Sequence, residues 1–266
     1  MADTAAPVRA YPDSHAHLSY VARRPGDLAA VAERYRGSGV MILDPGVDDD
    51  DFLGRKRLLG GLDFVALAAG IWPDAGPLSE PDASISRLEV AISDPDCVAL
   101  GECGLDYHWM HGDESAQEHL FRAQAELAAL RGLPLIVHSR DAHAPTLAVV
   151  RDYSGTIPVI IHCFGYDDEA ARDYLAVGCY LSFAGNLTYK TSGALRAACS
   201  LVPDDRLLLE TDAPYMNPMP RRGKPSSPLD IDRTYLAAAA LRGTEPEVLA
   251  EQVGATMATL FKKKTL

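Results

Sequence analysis

No apolar run in the 266-residue chain approaches the roughly 18 residues that a membrane-spanning helix needs; the longest runs from Val65 to Trp72. The first residues, MADTAAPVRAYPDSH, lack the apolar stretch of a secretory signal. A soluble, cytoplasmic protein is therefore expected. Cysteine is scarce. There are five, an odd number, and no two have C-x-x-C spacing. That excludes a disulfide framework and a thiolate zinc site, and leaves reduced, mostly buried thiols. Positive charge is also short. Lys and Arg number 25 against 37 Asp and Glu, a net charge of −12. A protein that coats nucleic acid nonspecifically should be basic. The deficit does not exclude an enzyme acting on nucleic acid, because bound metal ions can make a pocket positive inside an acidic shell. There is no G-x-x-x-x-G-K-[ST] phosphate loop, no G-x-G-x-x-G and no G-x-S-x-G elbow. Asn186-Leu187-Thr188 matches a glycosylation sequon, read as chance in a chain without a secretory route.

What is present is ordinary globular composition, 47% hydrophobic and 23% charged. Short apolar runs recur at Tyr11–His15, Val40–Leu43, Phe64–Ala69, Cys97–Leu100, Leu133–Val137, Val159–Ile161, Cys179–Phe183 and Leu207–Leu209. Continuous rather than alternating apolar strands suit a parallel sheet covered on both faces. Helical patterns fall between them. In Glu114–Arg131, Leu120, Ala123, Leu127 and Leu130 share one face. Asp27–Arg36, Asp141–Tyr153, Asp168–Val177 and Gly193–Ser200 are weaker. Thr244 and Glu247 suggest a capping box ahead of a stripe of Leu249, Val253, Met257 and Leu260, with Lys262–Lys264 near the negative end of that helix. The long turn-rich stretch Pro214–Pro228 is functional or disordered. Alternating strands and helices over this length predict an α/β protein, a (β/α)8 TIM barrel formed as a single domain over residues 1–266.

The polar residues favour the barrel over a doubly wound sheet. His15 and His17, Glu102, His138, His162, and Glu210 with Asp212 each follow an apolar run. In a barrel those strand ends converge on one face, where active sites lie. Imidazole and carboxylate are the usual ligands of zinc, manganese and similar ions. Two histidines in an H-x-H along a strand point to the same side, so His15 and His17 can share one ion. Glu102 has two oxygens and can bridge two ions about 3.5–4 Å apart. His138 and His162 complete the second ion, and Asp212 binds metal or deprotonates the attacking water. Any one of these elements alone is weak, but their joint placement after five runs is hard to obtain by chance. His108, His111, His119 and His143 are read as surface or rim residues.

These residues resemble the TatD-type metal-dependent deoxyribonucleases, a branch of the amidohydrolase-like barrels. The matching segments are DSHAHL (13–18), GECGLDY (101–107), LPLIVHSRDA (133–142), IIHCF (160–164), GCYLSFAGNLTYK (178–190) and LLLETDAPYMNP (207–218). They run in the family's order over nearly the whole chain. The resemblance implies a two-metal centre (Mg, Mn or Zn) held by His15, His17, Glu102, His138, His162 and Asp212, and hydrolysis of DNA phosphodiesters. Two segments depart from the family pattern. Trp72 stands in Gly70-Ile71-Trp72-Pro73 where members commonly carry histidine, and it is read as an apolar loop anchor or a base-stacking indole. The late loop reads Arg221-Arg222-Gly223-Lys224-Pro225 without the family's acidic residue. Arg140, Arg222 and Lys224 are candidate phosphate contacts.

The resulting expectation is an exonuclease-type deoxyribonuclease acting through a metal-activated water. Glu102 and Asp212 are its catalytic carboxylates, and DNA, as single strands or ends, is its substrate. No membrane and no obligate protein partner is expected. The alternatives are an amidohydrolase-like enzyme on a small ester, lactone or amide, and a metal-holding scaffold without catalysis.

Overall fold

Seven of the short apolar runs become strands of one parallel sheet in the computed structural model, which describes residues 9–262. They are β1 (Ile42–Asp44), β2 (Val65–Ala69), β3 (Cys97–Asp106), β4 (Leu135–Arg140), β5 (Val159–Ile161), β6 (Tyr180–Phe183) and β7 (Leu207–Leu209). Each pairs with its sequence neighbour, in the order β1 to β7. Parallel neighbours need long crossovers, and helices fill them. The helices include Phe52–Leu59, Pro81–Ile92, Glu114–Arg131, His143–Arg151, Asp168–Ala176 and Gly193–Leu201. Buried side chains such as Leu43, Leu100, Val137, Ile161, Leu181 and Leu208 make a single core between sheet and helices.

The eighth strand expected at Tyr11–His15 is not a strand of the sheet. The segment makes only two isolated parallel bridges, Asp13 with Ile42 and Ala16 with Ala213. Its backbone is nonetheless tied to both edges. Asp13 N–H donates to Met41 and Ala16 N–H to Leu43, while Ser14 N–H donates to Leu209 and His17 N–H to Ala213. The donors toward each edge fall three residues apart, at 13 and 16 and at 14 and 17, rather than the two that a continuous strand keeps.

Strand β3 is longer than its apolar start. GECGLD continues the pairing because its glycines admit the next strand. A Cβ on Gly104 would lie 2.0 Å from the His138 carbonyl oxygen. The strand thereby carries Glu102 and Asp106 into the sheet rather than into a turn.

At the C-terminal end, the helix Pro246–Leu260 buries Leu249, Val253, Met257 and Leu260. Its N-cap is Glu245, with no side-chain cap, so the Thr244–Glu247 capping box does not form. Glu247 instead accepts from the Tyr11 hydroxyl at 3.1 Å. Lys263 and Lys264 lie outside the described residues. The Pro214–Pro228 stretch is pinned to itself: Asn217 Nδ2 donates to the Pro225 carbonyl at 2.8 Å, and Ser226 N–H to that of Pro214 at 2.9 Å. No helix among the described residues is long and apolar enough to cross a membrane.

Candidate metal centre

The C-terminal ends of the strands deliver their polar residues to one place. Glu102 comes from β3 and His138 from β4, His162 directly follows β5, and Asp212 lies three residues beyond β7. His15 and His17 come from the segment tied between the sheet edges. All but His138 are buried, and His138 is half-buried.

Glu102 sits at the centre, and its two oxygens face different histidines. Oε2 lies 3.1 Å from His15 Nε2 and 3.5 Å from His17 Nε2. Oε1 lies 3.3 Å from His138 Nδ1 and 3.4 Å from His162 Nε2. Asp212 Oδ1 approaches His17 Nε2 at 3.5 Å. Three groups at this centre have ligand atoms within 4.8 Å of one another: His15–His17–Asp212, His15–His162–Glu210 and Glu102–His138–His162.

Burial works against every charge here; mutual attraction outweighs it at Glu102 and His162, and burial prevails at His15 and Asp13. Burial raises the Glu102 carboxyl, but facing His162, His138 and His15 hold it well below the carboxylate range. Burial lowers the His162 imidazole, yet Glu102 and Glu210 raise it well above its ordinary value. His15, where burial and His162 dominate, is lowered. Burial pushes Asp13 up to about 7, against hydrogen bonds from the Thr211 hydroxyl, Thr211 N–H and His15 N–H. Those bonds hold the HAH segment against the chain after β7.

Two carboxylates stand behind the histidines, and sequence reasoning gave neither a role. Asp106 Oδ2 lies 2.9 Å from His138 Nε2. Glu210 Oε1 lies 3.4 Å from His162 Nδ1 and accepts from Cys163 N–H at 2.9 Å. Carboxylates on the far nitrogen of a histidine fix its tautomer and ring orientation for a metal. Both sit inside the matching segments, GECGLDY and ETD, but only their partners reveal the role.

Five of the six residues, all but the fully buried His15, line a cavity of about 850 Å³. Six carboxylates line it, Asp48, Asp74, Glu102, Asp106, Asp141 and Asp212. Among the described residues, Arg140 is the one Lys or Arg that does so. Trp72 also lines it, half-buried, with its ring edge-on to His138 at 5.8 Å between centroids. Arg222 and Lys224 do not reach it. Both are exposed on the late loop, where Arg222 packs 4.4 Å from the Tyr189 ring centre. Among the described residues, five non-glycine residues have positive φ, and four of them line the cavity: Asp141, Cys163, Asp212 and Met216. Backbone strain of this kind concentrates at functional sites.

A cavity so rich in carboxylates would repel a phosphate unless cations entered first. The donor set suits such ions. His15 Nδ1 and Glu210 Oε2 are buried polar atoms without a hydrogen-bond partner, a costly arrangement for a purely structural cluster.

The family model for TatD-related DNases matches residues 12–262. The chain belongs to this family. It is 34% identical to an uncharacterized metal-dependent hydrolase, YabD of Bacillus subtilis, over 81% of this chain and 85% of that one. It is 38% identical to the 3'-5' ssDNA/RNA exonuclease TatD of Cronobacter sakazakii, over 75% of this chain and 80% of that one. A solved TatD homologue, YjjV of Escherichia coli, superposes with a TM-score of 0.82 at 27% identity, covering 94% of this chain and 97% of its own. The protein is thus a TatD-family member related to metal-dependent hydrolases.

Proposed function

We propose that this TatD-family protein is a two-metal hydrolase that removes nucleotides from the ends of single-stranded DNA. The observation that carries the reading is the split of Glu102, one oxygen facing His15 and His17 and the other facing His138 and His162. His15, His17 and Asp212 would hold one divalent ion, His138 and His162 the other, with Glu102 between them. Magnesium, manganese or zinc is compatible with these donors. Such ions supply a lowered water pKa and counter-charge for the phosphoryl oxygens.

The protein's own groups do the rest. Asp212 takes the proton of the attacking water. Asp106 and Glu210 hold the His138 and His162 rings in orientation, through their far nitrogens. Arg140 meets negative charge on the phosphate as it builds. Residues 13–17 occupy the eighth position of a (β/α)8 barrel, and the chain acts as one domain.

The test is hydrolysis of single-stranded DNA with added magnesium, manganese or zinc, beside Asp212→Ala purified in parallel. Cleavage that needs metal and vanishes in the variant supports the reading. Salt-insensitive hydrolysis of small neutral esters by a folded, metal-loaded protein that leaves DNA intact overturns it.

A further inference from the structure

The chain has two tryptophans, and both line the cavity. They are not equivalent. Trp72 is half-buried against His138 and His111. Trp109 is 62% exposed. A lone exposed apolar side chain is ordinary; what sets this indole apart is its place at the cavity and what holds it there.

Its position is fixed. Trp109 lies in the turn after β3, where Asp106 Oδ1 accepts from the backbone N–H of His108 at 3.0 Å and of Trp109 at 2.8 Å. The other oxygen of that carboxylate meets His138 Nε2. One side chain therefore registers the tryptophan turn to the metal centre. Arg140, at the end of β4, places its guanidinium 5.8 Å from the Trp109 ring centre, within cation–π range. The pair offers an aromatic surface beside the cavity's one arginine, the combination that a nucleotide requires and a small neutral ester does not.

We propose that Trp109 and Arg140 form a nucleotide platform, the indole stacking on the base next to the scissile bond and the guanidinium holding that nucleotide's phosphate. The inference rests on the nucleic-acid reading above and adds the binding residue that selects an unpaired strand. A base inside a duplex has both faces covered by its neighbours, so the indole reaches only a splayed one. Stacking is tolerant of sequence because every base presents a π-face.

Two measurements test it. In the first, steady-state hydrolysis of a short single-stranded oligonucleotide is compared with that of the same strand made abasic at the nucleotide next to the cleaved bond. Trp109→Ala should raise KM about tenfold on the intact strand, in the range of stacking losses, with kcat within twofold. Trp109→Phe should recover most of this. On the abasic strand the wild type should show the raised KM already, and Trp109→Ala should add nothing. Equal losses on both strands, or an unchanged KM, overturn the platform while leaving the nuclease reading intact.

The second measurement needs no turnover. In Trp72→Phe, Trp109 is the sole tryptophan, and its emission should be quenched by the intact strand and not by the abasic one. Quenching without hydrolysis under any metal would keep the platform and sink the nuclease. Emission that ignores both strands sinks the platform.

Discussion

Two buried charge clusters lie at the strand ends, and they are built on opposite principles. Around Arg55, which is 4% exposed, everything closes. Its five N–H donors meet five acceptor contacts: Asp51 Oδ1 from both Nε and Nη2, Asp44 Oδ1 and the Asp44 carbonyl from Nη1, and the Ala68 carbonyl from Nη2. Asp44 uses its other oxygen to take Leu18 N–H at 2.7 Å. Around Glu102 nothing closes in this way. Imidazoles stand 3.1 to 3.5 Å from its oxygens, two buried polar atoms nearby lack partners, and the neighbouring backbone at Cys163 and Asp212 is strained. A cluster satisfied by the chain itself stabilises the fold. A cluster whose donors converge and stay partly unsatisfied is arranged for something the chain does not contain.

The sharpest way to break the open cluster is Glu102→Gln. An amide offers one acceptor oxygen and turns N–H donors toward imidazoles that must present lone pairs. If Glu102 stands between two ions as proposed, metal-dependent hydrolysis should fall about 10³-fold or more, because its charge would then support several kcal/mol of transition-state stabilisation. The metal-free variant should still fold. Because Glu102 helps raise the His162 imidazole, that histidine should titrate at lower pH in the variant, read by NMR of the metal-free protein. Full activity, or an unmoved His162, would show that Glu102 is not the centre of the cluster.

The closed cluster should respond in the opposite currency. Arg55→Met leaves Asp44 buried without its counter-charge, and breaking a buried pair costs about 3–5 kcal/mol. Denaturant unfolding should show that loss, while the folded fraction keeps its metal content. The pH dependence has a definite sign. Burial already raises the Asp44 carboxyl, with Arg55 opposing it; without Arg55 it rises further. A raised carboxyl destabilises the folded state above its unfolded value and ceases to do so once protonated. The deficit should therefore be larger at pH 8 than at pH 5. A deficit that does not change with pH would mean that Asp44 is not the stranded group.

The same contrast explains what could be read from residues alone. Strands β5 and β7 and the helix Glu114–Arg131 have the expected bounds, because apolar runs or a one-sided stripe end abruptly at polar residues. Phe52–Leu59 escaped notice because its inward face carries Arg55, a charge whose burial depends on Asp44 and Asp51 arriving from elsewhere. The expected strand stopped at Leu100, where its apolar run ends, but the strand continues to Asp106 because Gly104 admits the His138 backbone. That His15, His17, Glu102, His138, His162 and Asp212 would meet in one place was legible, since each follows an apolar run and strand ends converge. Asp106 and Glu210 were not, since their roles lie in contacts to His138 and His162 rather than in their own positions. Arg222 and Lys224 have the charge a phosphate contact needs, but only the path of the late loop shows that they do not reach the cavity.

The smallest expected effect sharpens the comparison by changing burial while holding chemistry nearly constant. Arg122, like Arg55, engages two carboxylates: Nε lies 2.8 Å from Glu118 Oε1 and Nη1 3.0 Å from Asp152 Oδ2. Its side chain, however, is 38% exposed, and so are its partners, at 40% and 59%. In water the guanidinium loses little on separation and regains side-chain freedom, so exposed pairs contribute little to stability and less as salt rises. Arg122→Met should shift the unfolding midpoint by a small fraction of the Arg55→Met shift, and added salt should erase even that. Equal shifts from the two substitutions would mean that the number of ionic contacts, rather than their closure away from solvent, sets what a cluster contributes to this fold.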